Sequence, residues 1–398
     1  MGALEGSTER HHSRLGATRR EGERVTPLEL FFDLVFVLAL TQCTALMAYD
    51  QTWSGLAQGL LVLGVLWWAW VGYAWLTSVI DPEEGAVRLV IFVAMAAMLI
   101  VSLSVQKAFG NLALSFAFGI GVYRTAHIVL FWLAGADDRD LQRSVIGLAV
   151  STAVAVGILV LASLFDGLAQ GALWALAIFL DMAGPYFFGA DGWKLVPGHF
   201  AERHGLILII ALGESIVAIG VGASGALDLG IGAAAVLGIF LAAALWWTYF
   251  DVVALISAKR LSQAEAGRVQ NELARDSYSY IHLLLIAGIV MIALGLKVTI
   301  GHYDEHLQEV PAFALLGGVA IYLIGLVAFR YRHIKTINRH RLGLAIVLLL
   351  LVPVATEIPA LLTVAIAVVL VWAMIAFEHR GYGASRAELR REANAAHT

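Results

Sequence analysis

The sequence predicts an all-α integral membrane protein with about twelve transmembrane helices, arranged as two parallel six-helix repeats with both termini in the cytosol. Three observations carry this prediction. Of the 398 residues, 60% are hydrophobic and only 14% charged, and the mean hydropathy is +0.82. Apolar segments of about 20 residues, enough to cross a bilayer, recur with short interruptions. The basic residues lie almost wholly on alternate interruptions. The composition excludes a soluble globular domain.

The chain begins with a polar stretch over residues 1–24, in which Arg and Glu are mixed with Gly and Ser. Because this stretch has no apolar run to bury, we expect a mobile basic cytosolic tail. It is not a secretory signal, since the first apolar segment begins late, is long and lacks a small-residue cleavage pattern. Residues 380–398 form a second polar stretch and a second expected cytosolic tail.

Twelve apolar segments are candidate membrane spans. They are 28–48, 54–78, 87–106, 111–134, 144–165, 170–189, 204–222, 230–256, 277–299, 310–330, 342–356 and 358–378. The eleventh segment is short, and Pro353 and Pro359 bracket its end. The last two segments could therefore form one re-entrant hairpin instead of two full spans.

The distribution of positive charge predicts the orientation. With both termini and alternate loops inside, 23 of the 26 Lys and Arg residues lie on the inner side. The others are Lys107 and Lys297 at outer helix ends and Arg124 within a span. This asymmetry predicts a multi-pass protein of the bacterial inner membrane with its N- and C-termini in the cytosol.

Two sequence patterns recur between the halves of the chain. L-W-W-A-W at 66–70 returns as L-W-W-T-Y at 245–249, and R-S-V-I-G-L-A at 143–149 returns as R-H-R-L-G-L-A at 339–345. The matches indicate two six-helix repeats, over 25–190 and 198–379. Because six is even, both repeats have the same orientation and are related by an axis along the membrane normal.

The first apolar segment carries two carboxylates, Glu29 and Asp33, which are four residues apart and share a helix face. A charge at mid-helix in lipid costs roughly 2.5–3.5 kcal/mol even on lenient insertion scales. Asp33 is therefore expected to face protein or water and to have a partner. Such a residue is a candidate functional group.

Four ionisable residues from four different spans are predicted to lie at a similar depth in the membrane: Asp33, Arg124, Asp181 and Glu214. A rise of 1.5 Å per residue puts them about 9 to 15 Å from the cytosolic boundary. We expect Arg124, as the only cation at that depth, to pair with one of these acids. The predicted substrate or ion pathway comprises Glu29, Asp33, Arg124, His127, Asp181 and Glu214. The alternative interpretation is a structural ion-pair network that fixes helix packing.

Four further polar residues mark the predicted helix ends. Glu202, Arg203 and His204 open the seventh segment, and Asp251 closes the eighth. Interfacial charges commonly mark only a helix end, so these four are accessory candidates. Gly184-Pro185 follows Asp181 and predicts either a break in the sixth span or a simple kink.

The opening stretch, Glu29-Leu-Phe-Phe-Asp33-Leu-Val-Phe-Val37, resembles the first helix of the bacterial low-temperature-requirement A (LtrA) family. Further similar motifs are the Trp-rich second span ending in Asp81, the E-R-H-G-L at 202–206 and the A-L-G-E-S at 211–215. The resemblance covers nearly all of 25–380. It implies an inner-membrane protein associated with growth in the cold. A fainter likeness is to two-repeat endosomal/lysosomal-type potassium channels, through Phe32-Asp33.

We expect a proton- or cation-coupled permease of a small solute, with Asp33 and Glu214 as equivalent carboxylates of the two repeats and Arg124 as their counter-charge. A cation channel related to two-repeat potassium channels is one alternative. A lipid-handling or membrane-homeostasis protein supporting growth in the cold is another. An enzyme is less favoured, because no tight surface set of His, Asp or Glu occurs.

The expected partners are the lipid bilayer and either a small solute or a monovalent cation or proton. A homodimer is one possible assembly, and no nucleic-acid partner is expected. The histidines show no metal-ligand spacing on one helix face, so no metal or other cofactor is predicted. The sequence does not identify the solute.

Overall fold

The structure is a computed structural model that describes residues 24–83, 85–136, 138–187, 193–223 and 228–395, with side chains as far as Arg380. The expected tail over 1–24 lies outside the described residues except for Arg24. The described chain is helical and contains no strand, in agreement with the predicted all-α class.

The first half of the chain forms six long helices. They are α1 (Pro27–Tyr49), α2 (Trp53–Thr77), α3 (Gly85–Ser104), α4 (Ala113–Ala134), α5 (Arg139–Ala162) and α6 (Gly167–Phe187). A 3₁₀ turn, Val105–Lys107, follows α3. Each of the six is long and apolar enough to cross a membrane.

The second half is less regular. It comprises α7 (Pro197–Gly222), α8 (Leu229–Phe250), α9 (Val253–Gln263), α10 (Arg268–Ala274), α11 (His282–Gly301), α12 (Glu309–Ala312), α13 (Gly318–Ile334), α14 (Arg339–Leu350), α15 (Val352–Ala355) and α16 (Ala360–Ala395). Two π-helical turns, Arg275–Ile281 and Phe313–Gly317, join α10 to α11 and α12 to α13. Together the described residues provide eleven candidate membrane spans, which makes this a multi-pass membrane protein.

The segment predicted at 342–356 does not form one long helix. It is divided into α14 and the four-residue α15, with a break at Leu351. Pro353 has no N–H to donate back along a helix, and it occupies an early position in α15 where that N–H is not needed. Neither piece alone is long enough to be a candidate span.

Two helix boundaries differ from the predicted ones. α7 begins at Pro197, seven residues before the predicted start, because a proline favours the first turn of a helix. Arg203 and His204 therefore lie inside α7 and do not open it. Pro185 lies within α6, which continues to Phe187. The structure thus gives a helix containing Pro185 rather than a break at Gly184.

The helices α1, α7 and α11 pack against one another at the centre of the molecule. In α2, 78% of the most apolar window is buried inside the protein, against 22% in α6. The Trp-rich α2 is therefore an interior helix, whereas α6 is mostly on the outside. Gly288 of α11 and Gly318 of α13 permit the closest helix approach, since a Cβ at Gly288 would lie 2.6 Å from the Gly318 carbonyl oxygen.

Candidate functional site

The start of α1 places Glu29 by a reciprocal cap. The Thr26 backbone N–H donates to Glu29 Oε2 at 2.8 Å, and the Glu29 N–H donates to Thr26 Oγ1 at 3.4 Å. Pro27 occupies the first turn, where its missing N–H is not needed. This capping box fixes Glu29 in the first turn and leaves its second oxygen, Oε1, free to face a neighbouring helix. Asp33 follows one turn later on the same face.

The neighbouring helix is α7, whose first two turns present His199 and Arg203 at the i, i+4 spacing. Arg203 Nη1 donates to Glu29 Oε1 at 3.1 Å, and Arg203 Nη2 donates to Asp33 Oδ1 at 2.7 Å. His199 Nε2 lies 2.8 Å from Glu29 Oε1. All four side chains are at most 1% exposed. We call these four residues the α1–α7 cluster.

The helix α2 completes the surroundings of the cluster. Trp70 Nε1 donates to Asp33 Oδ1 at 2.9 Å, and Arg203 Nη1 donates to Thr77 Oγ1 at 3.1 Å. The Arg203 guanidinium also lies 5.6 Å from the centre of the Trp70 ring. Asp33 Oδ1 thus accepts two hydrogen bonds. Asp33 Oδ2 is buried and has no hydrogen-bond partner among the described residues.

The charges of the α1–α7 cluster do not balance when His199 is neutral. Within the described chain, the cluster holds two carboxylates, one guanidinium and one imidazole. Burying a net charge inside a membrane protein is costly. One added positive charge, either a proton on Asp33 or His199 or a bound monovalent cation, gives neutrality.

A second buried cluster joins α4, α5 and α6. Arg124 Nη2 lies 3.0 Å from Asp181 Oδ1 and 2.6 Å from Thr152 Oγ1, and Thr152 also donates to Asp181 at 3.3 Å. The predicted pairing of Arg124 with one of the buried acids is confirmed for Asp181. His127 Nε2 bonds to the Gly72 carbonyl oxygen at 2.8 Å.

The expectation that Arg124 is the only cation deep enough for Asp33 is wrong. Arg203 serves Asp33, because α7 begins earlier than predicted and carries Arg203 into the interior. Aromatic rings lie between the two clusters. The Tyr73 ring is 4.8 Å from the Phe32 ring beside Asp33 and 5.1 Å from the His127 ring.

Glu214 occupies a third position and does not join Asp33 or Arg124. It accepts a hydrogen bond from Thr41 of α1 at 2.5 Å. Thr41 is eight residues beyond Asp33, which corresponds to about 12 Å along α1. The four residues that the sequence places at one depth, Asp33, Arg124, Asp181 and Glu214, therefore form three separate groups.

The accessory candidates lie in different surroundings. Arg203 belongs to the α1–α7 cluster. The His204 ring packs 5.0 Å from Trp70 and 5.4 Å from His282, and its Nδ1 bonds to the Phe200 carbonyl oxygen. Glu202 accepts a hydrogen bond from the Val25 N–H at 3.2 Å. Asp251 is buried at the end of α8, beside a small cavity that Arg341 and Glu378 also line.

Sequence reasoning missed several polar residues of the interior. His199 and Trp70 complete the α1–α7 cluster, and Arg341 pairs with Glu378 through two contacts of 3.0 Å. The spacing of His199 and Arg203 was the available signal, because i, i+4 residues share a helix face. The Trp side chains are more than interfacial belts. Trp67 and Trp75 both donate to Ser279 in the π-helical turn Arg275–Ile281.

A small cavity lies beside the second cluster. Its volume is about 50 Å³, and its walls include Arg124, His127, three Trp side chains and the Gly184-Pro185 pair. At about 30 Å³ per water, this is room for one or two water molecules. Within the described residues, no group of three His, Cys, Asp or Glu side chains is arranged to hold a metal ion.

The sequence was compared with known proteins. The sequence model of the family described as "Bacterial low temperature requirement A protein (LtrA)" matches residues 24–376. This match confirms the resemblance drawn from the motifs. An uncharacterized protein of Rhizobium meliloti (strain 1021) is 26% identical in an alignment 396 positions long, and the alignment covers 94% of this chain and 95% of the relative. No solved structure matches the chain.

Proposed function

The chain belongs to the bacterial low temperature requirement A (LtrA) family, and we propose that it is a permease of the bacterial inner membrane that couples movement of a small solute to a proton or monovalent cation. The observation that carries this proposal is the α1–α7 cluster. Within it, the Asp33 carboxylate is fully buried, and one of its oxygens has no hydrogen-bond partner among the described residues.

Asp33 is the proposed coupling residue. Its Oδ1 accepts from Arg203 and Trp70, whereas its Oδ2 is buried without a hydrogen-bond partner in the described chain. A buried, unpartnered carboxylate oxygen is a favourable place for a proton or a small cation. Charge uptake there would weaken the attraction of Asp33 for Arg203. Because that contact joins α1 to α7, the charge state of Asp33 would bias their packing.

Our proposal includes two parallel six-helix repeats over 25–190 and 198–379, with α14 and α15 together forming the eleventh of the twelve spans. The parallel course of α1 and α7 supports it. Glu29, near the start of α1, meets Arg203 early in α7, and Thr41 meets Glu214 further along both helices. These contacts lie on the interface between the proposed repeats, where transporters of this kind bind their coupling ions.

The packing order of the helices also supports the repeat. In the first half α3 packs against α1 and α4, and in the second half α11 packs against α7 and α13. Tyr123 of α4 donates to the Ala69 carbonyl oxygen of α2 at 3.3 Å. Tyr322 of α13 likewise donates to the Leu245 carbonyl oxygen of α8 at 2.8 Å. We place both termini in the cytosol, on the side that gathers 23 of the 26 basic residues.

The proposed solute pathway passes through the 50 Å³ cavity beside Arg124 and His127. This volume is too small for a solute much larger than water, so the proposal requires the cavity to widen when the solute enters. Pro185 lies on the cavity wall within α6, and a proline in a helix interior removes one hydrogen bond and permits bending. Opening of α6 at this point would admit the solute.

The test is flux through proteoliposomes of the purified full-length protein, with a scan of monovalent cations and a pH gradient. The wild type is compared with Asp33→Asn and with the control Asp138→Asn. Asp138 caps α5 and is not one of the cluster residues, and Asn caps a helix as well as Asp does. We expect saturable flux that falls at least tenfold in Asp33→Asn and is unchanged in Asp138→Asn.

Other results would contradict the permease. Flux that depends on Asp33 but grows linearly with concentration, with ohmic conductance in planar bilayers, would indicate a channel. Absence of flux under every gradient, together with an altered lipid profile of cells lacking the gene at low temperature, would indicate a lipid-handling protein.

A further inference from the structure

A cavity in the second half of the chain lies away from both ionisable clusters. It has a volume of about 290 Å³, close to the roughly 300 Å³ at which small-molecule pockets begin. It is lined by the end of α13, by the starts of α9 and α14 and by Glu378 of α16. The candidate spans Glu309–Ile334 and Ala360–Arg380 both end beside this cavity, so we place it at the level of the lipid headgroups.

The polar lining of this cavity is basic. Arg330, His333, Arg339 and His340 contribute to the wall. Both ring nitrogens of His333 are buried and have no hydrogen-bond partner among the described residues. The cavity therefore offers hydrogen-bonding groups that the protein itself does not satisfy, next to cationic side chains.

The acidic group of the cavity does not cancel these charges. Glu378 is held by Arg341, whose Nε and Nη2 each lie 3.0 Å from a different carboxylate oxygen. Arg341 Nη1 donates in addition to the Thr248 carbonyl oxygen at 3.1 Å. This bidentate pair is neutral by itself, so it does not cancel the positive charge of Arg339.

The remaining lining is apolar and faces the bilayer boundary. Val252, Ile256, Ile334 and Ile337 form this wall. A soluble anion has no apolar part to pack against such a wall, whereas a lipid packs its glycerol and upper acyl chains against one. The adjoining helix α9 also indicates contact with a membrane. It buries Val253, Ser257 and Leu261 at i, i+4 and i+8 and exposes Lys259 and Arg260. A short amphipathic helix with a basic outer face is typical of contact with an anionic membrane surface.

We propose that this cavity binds the phosphate headgroup of an anionic phospholipid, with Arg339 and His333 contacting the phosphate and the apolar wall contacting the lipid chains. Basic pockets between helices at a membrane boundary recognise such headgroups. The assignment does not depend on transport, because it concerns a different cavity and different residues. A bound lipid there would bridge α9, α13 and α14.

The experiment uses the purified full-length protein in detergent, titrated with phosphatidylglycerol, with phosphatidylcholine of the same acyl chains, or with inorganic phosphate. Retained lipid is counted by native mass spectrometry, and the melting temperature is followed in parallel. The variants are Arg339→Gln and His333→Gln, with Arg143→Gln as the matched control. Arg143 is 80% exposed near the start of α5 and carries the same charge outside the cavity.

We expect phosphatidylglycerol to bind and raise the melting temperature, and phosphatidylcholine to have no effect. Binding should be about fivefold weaker in Arg339→Gln, because a basic residue near an anionic headgroup contributes roughly that factor. His333→Gln should also bind more weakly, and Arg143→Gln should match the wild type. Equal weakening in Arg143→Gln, or binding unchanged in Arg339→Gln, would overturn the proposal. So would stabilisation by inorganic phosphate without any lipid preference, which would assign the cavity to a soluble anion.

Discussion

Arg203 Nη2 and Asp33 Oδ1 lie 2.7 Å apart, and this contact joins α7 in the second half of the chain to α1 in the first. The same guanidinium also reaches Glu29 and Thr77. One side chain therefore connects three helices, α1, α2 and α7, at a depth where water is scarce. The stability and the proposed activity both depend on this junction.

Removal of the Arg203 charge should be strongly destabilising. Arg203→Gln leaves two buried carboxylates without their cation, and breaking a buried pair in this way costs about 3–5 kcal/mol. Arg203→Lys should lose less, because it keeps the charge but not the fork that reaches both acids. Unfolding by SDS in mixed micelles measures the difference. Arg143→Gln is the control, and a loss below 1 kcal/mol in Arg203→Gln would contradict the account.

The two buried clusters should be energetically separate. In double-mutant cycles, Arg124→Gln and Asp181→Asn should show a coupling energy of about 0.5–3 kcal/mol, because their side chains are in contact. Arg124→Gln and Asp33→Asn should be additive within about 0.5 kcal/mol, since no hydrogen bond or ion pair among the described residues joins Arg124 to Asp33. A larger coupling energy between Arg124 and Asp33 than between Arg124 and Asp181 would support the prediction from the sequence that Arg124 is the counter-charge of Asp33.

The close approach of α11 and α13 should not tolerate a methyl group. A Cβ at Gly288 would lie 2.6 Å from the Gly318 carbonyl oxygen and 2.9 Å from the Tyr322 backbone nitrogen. Gly288→Ala should therefore destabilise by about 1–3 kcal/mol, the usual effect of overpacking. Gly220→Ala is the matched control, because a Cβ there meets no atom within 4 Å. Equal stability of the two variants in the SDS assay would mean that the helices are further apart than described.

Asp138 should contribute stability that depends on pH. It caps α5 by accepting from the Leu141 N–H and bonds Lys194 Nζ at 3.0 Å. The hydrogen bond from Lys194, with that from the Leu141 N–H, lowers the pKa of Asp138 below its ordinary value of about 3.9. A lowered pKa means that the contribution is present above the ordinary value and disappears as the pH falls through the folded-state pKa.

For this reason Asp138→Ala should cost about 0.5–2 kcal/mol at pH 7, the usual effect of losing an N-cap, and less at pH 3.5. Asp140→Ala, two residues away and 67% exposed, should have little effect at either pH. A cost of Asp138→Ala that stays constant between pH 7 and pH 3.5 would mean that its charge contributes nothing.

The sequence was sufficient to predict the class of the fold and the start of α1. Apolar segments of membrane length are readable from composition alone, and Glu29 and Asp33 share a face by their spacing. The partner of Asp33 was not readable. Hydropathy predicts where a helix enters the lipid. A helix that packs inside the protein can nevertheless carry charged residues deeper than that point. The sequence therefore predicts Arg203 at the membrane interface, whereas in the structure α7 begins at Pro197, six residues before Arg203.

The polar contacts inside the second half of the chain could not be predicted from the sequence either, for a physical reason. The π-helical turn Arg275–Ile281 shifts the register of the helix that follows, and no periodicity of apolar residues signals such a turn. Ser279 within it receives hydrogen bonds from both Trp67 and Trp75, which lie more than 200 residues earlier in the chain. Long-range polar contacts of this kind depend on the packing and not on local sequence.

The most direct test of the central claim is to measure whether ion movement across the membrane requires Asp33. Proteoliposomes loaded with a pH-sensitive dye and clamped at zero membrane potential report the movement of protons, and isotope uptake reports Na⁺ and K⁺. We predict movement of one of these ions by the wild type and by Asp138→Asn, and movement no faster than in empty liposomes for Asp33→Asn. Ion movement in Asp33→Asn equal to that of the wild type would contradict the account, and the α1–α7 cluster would then be a structural ion pair.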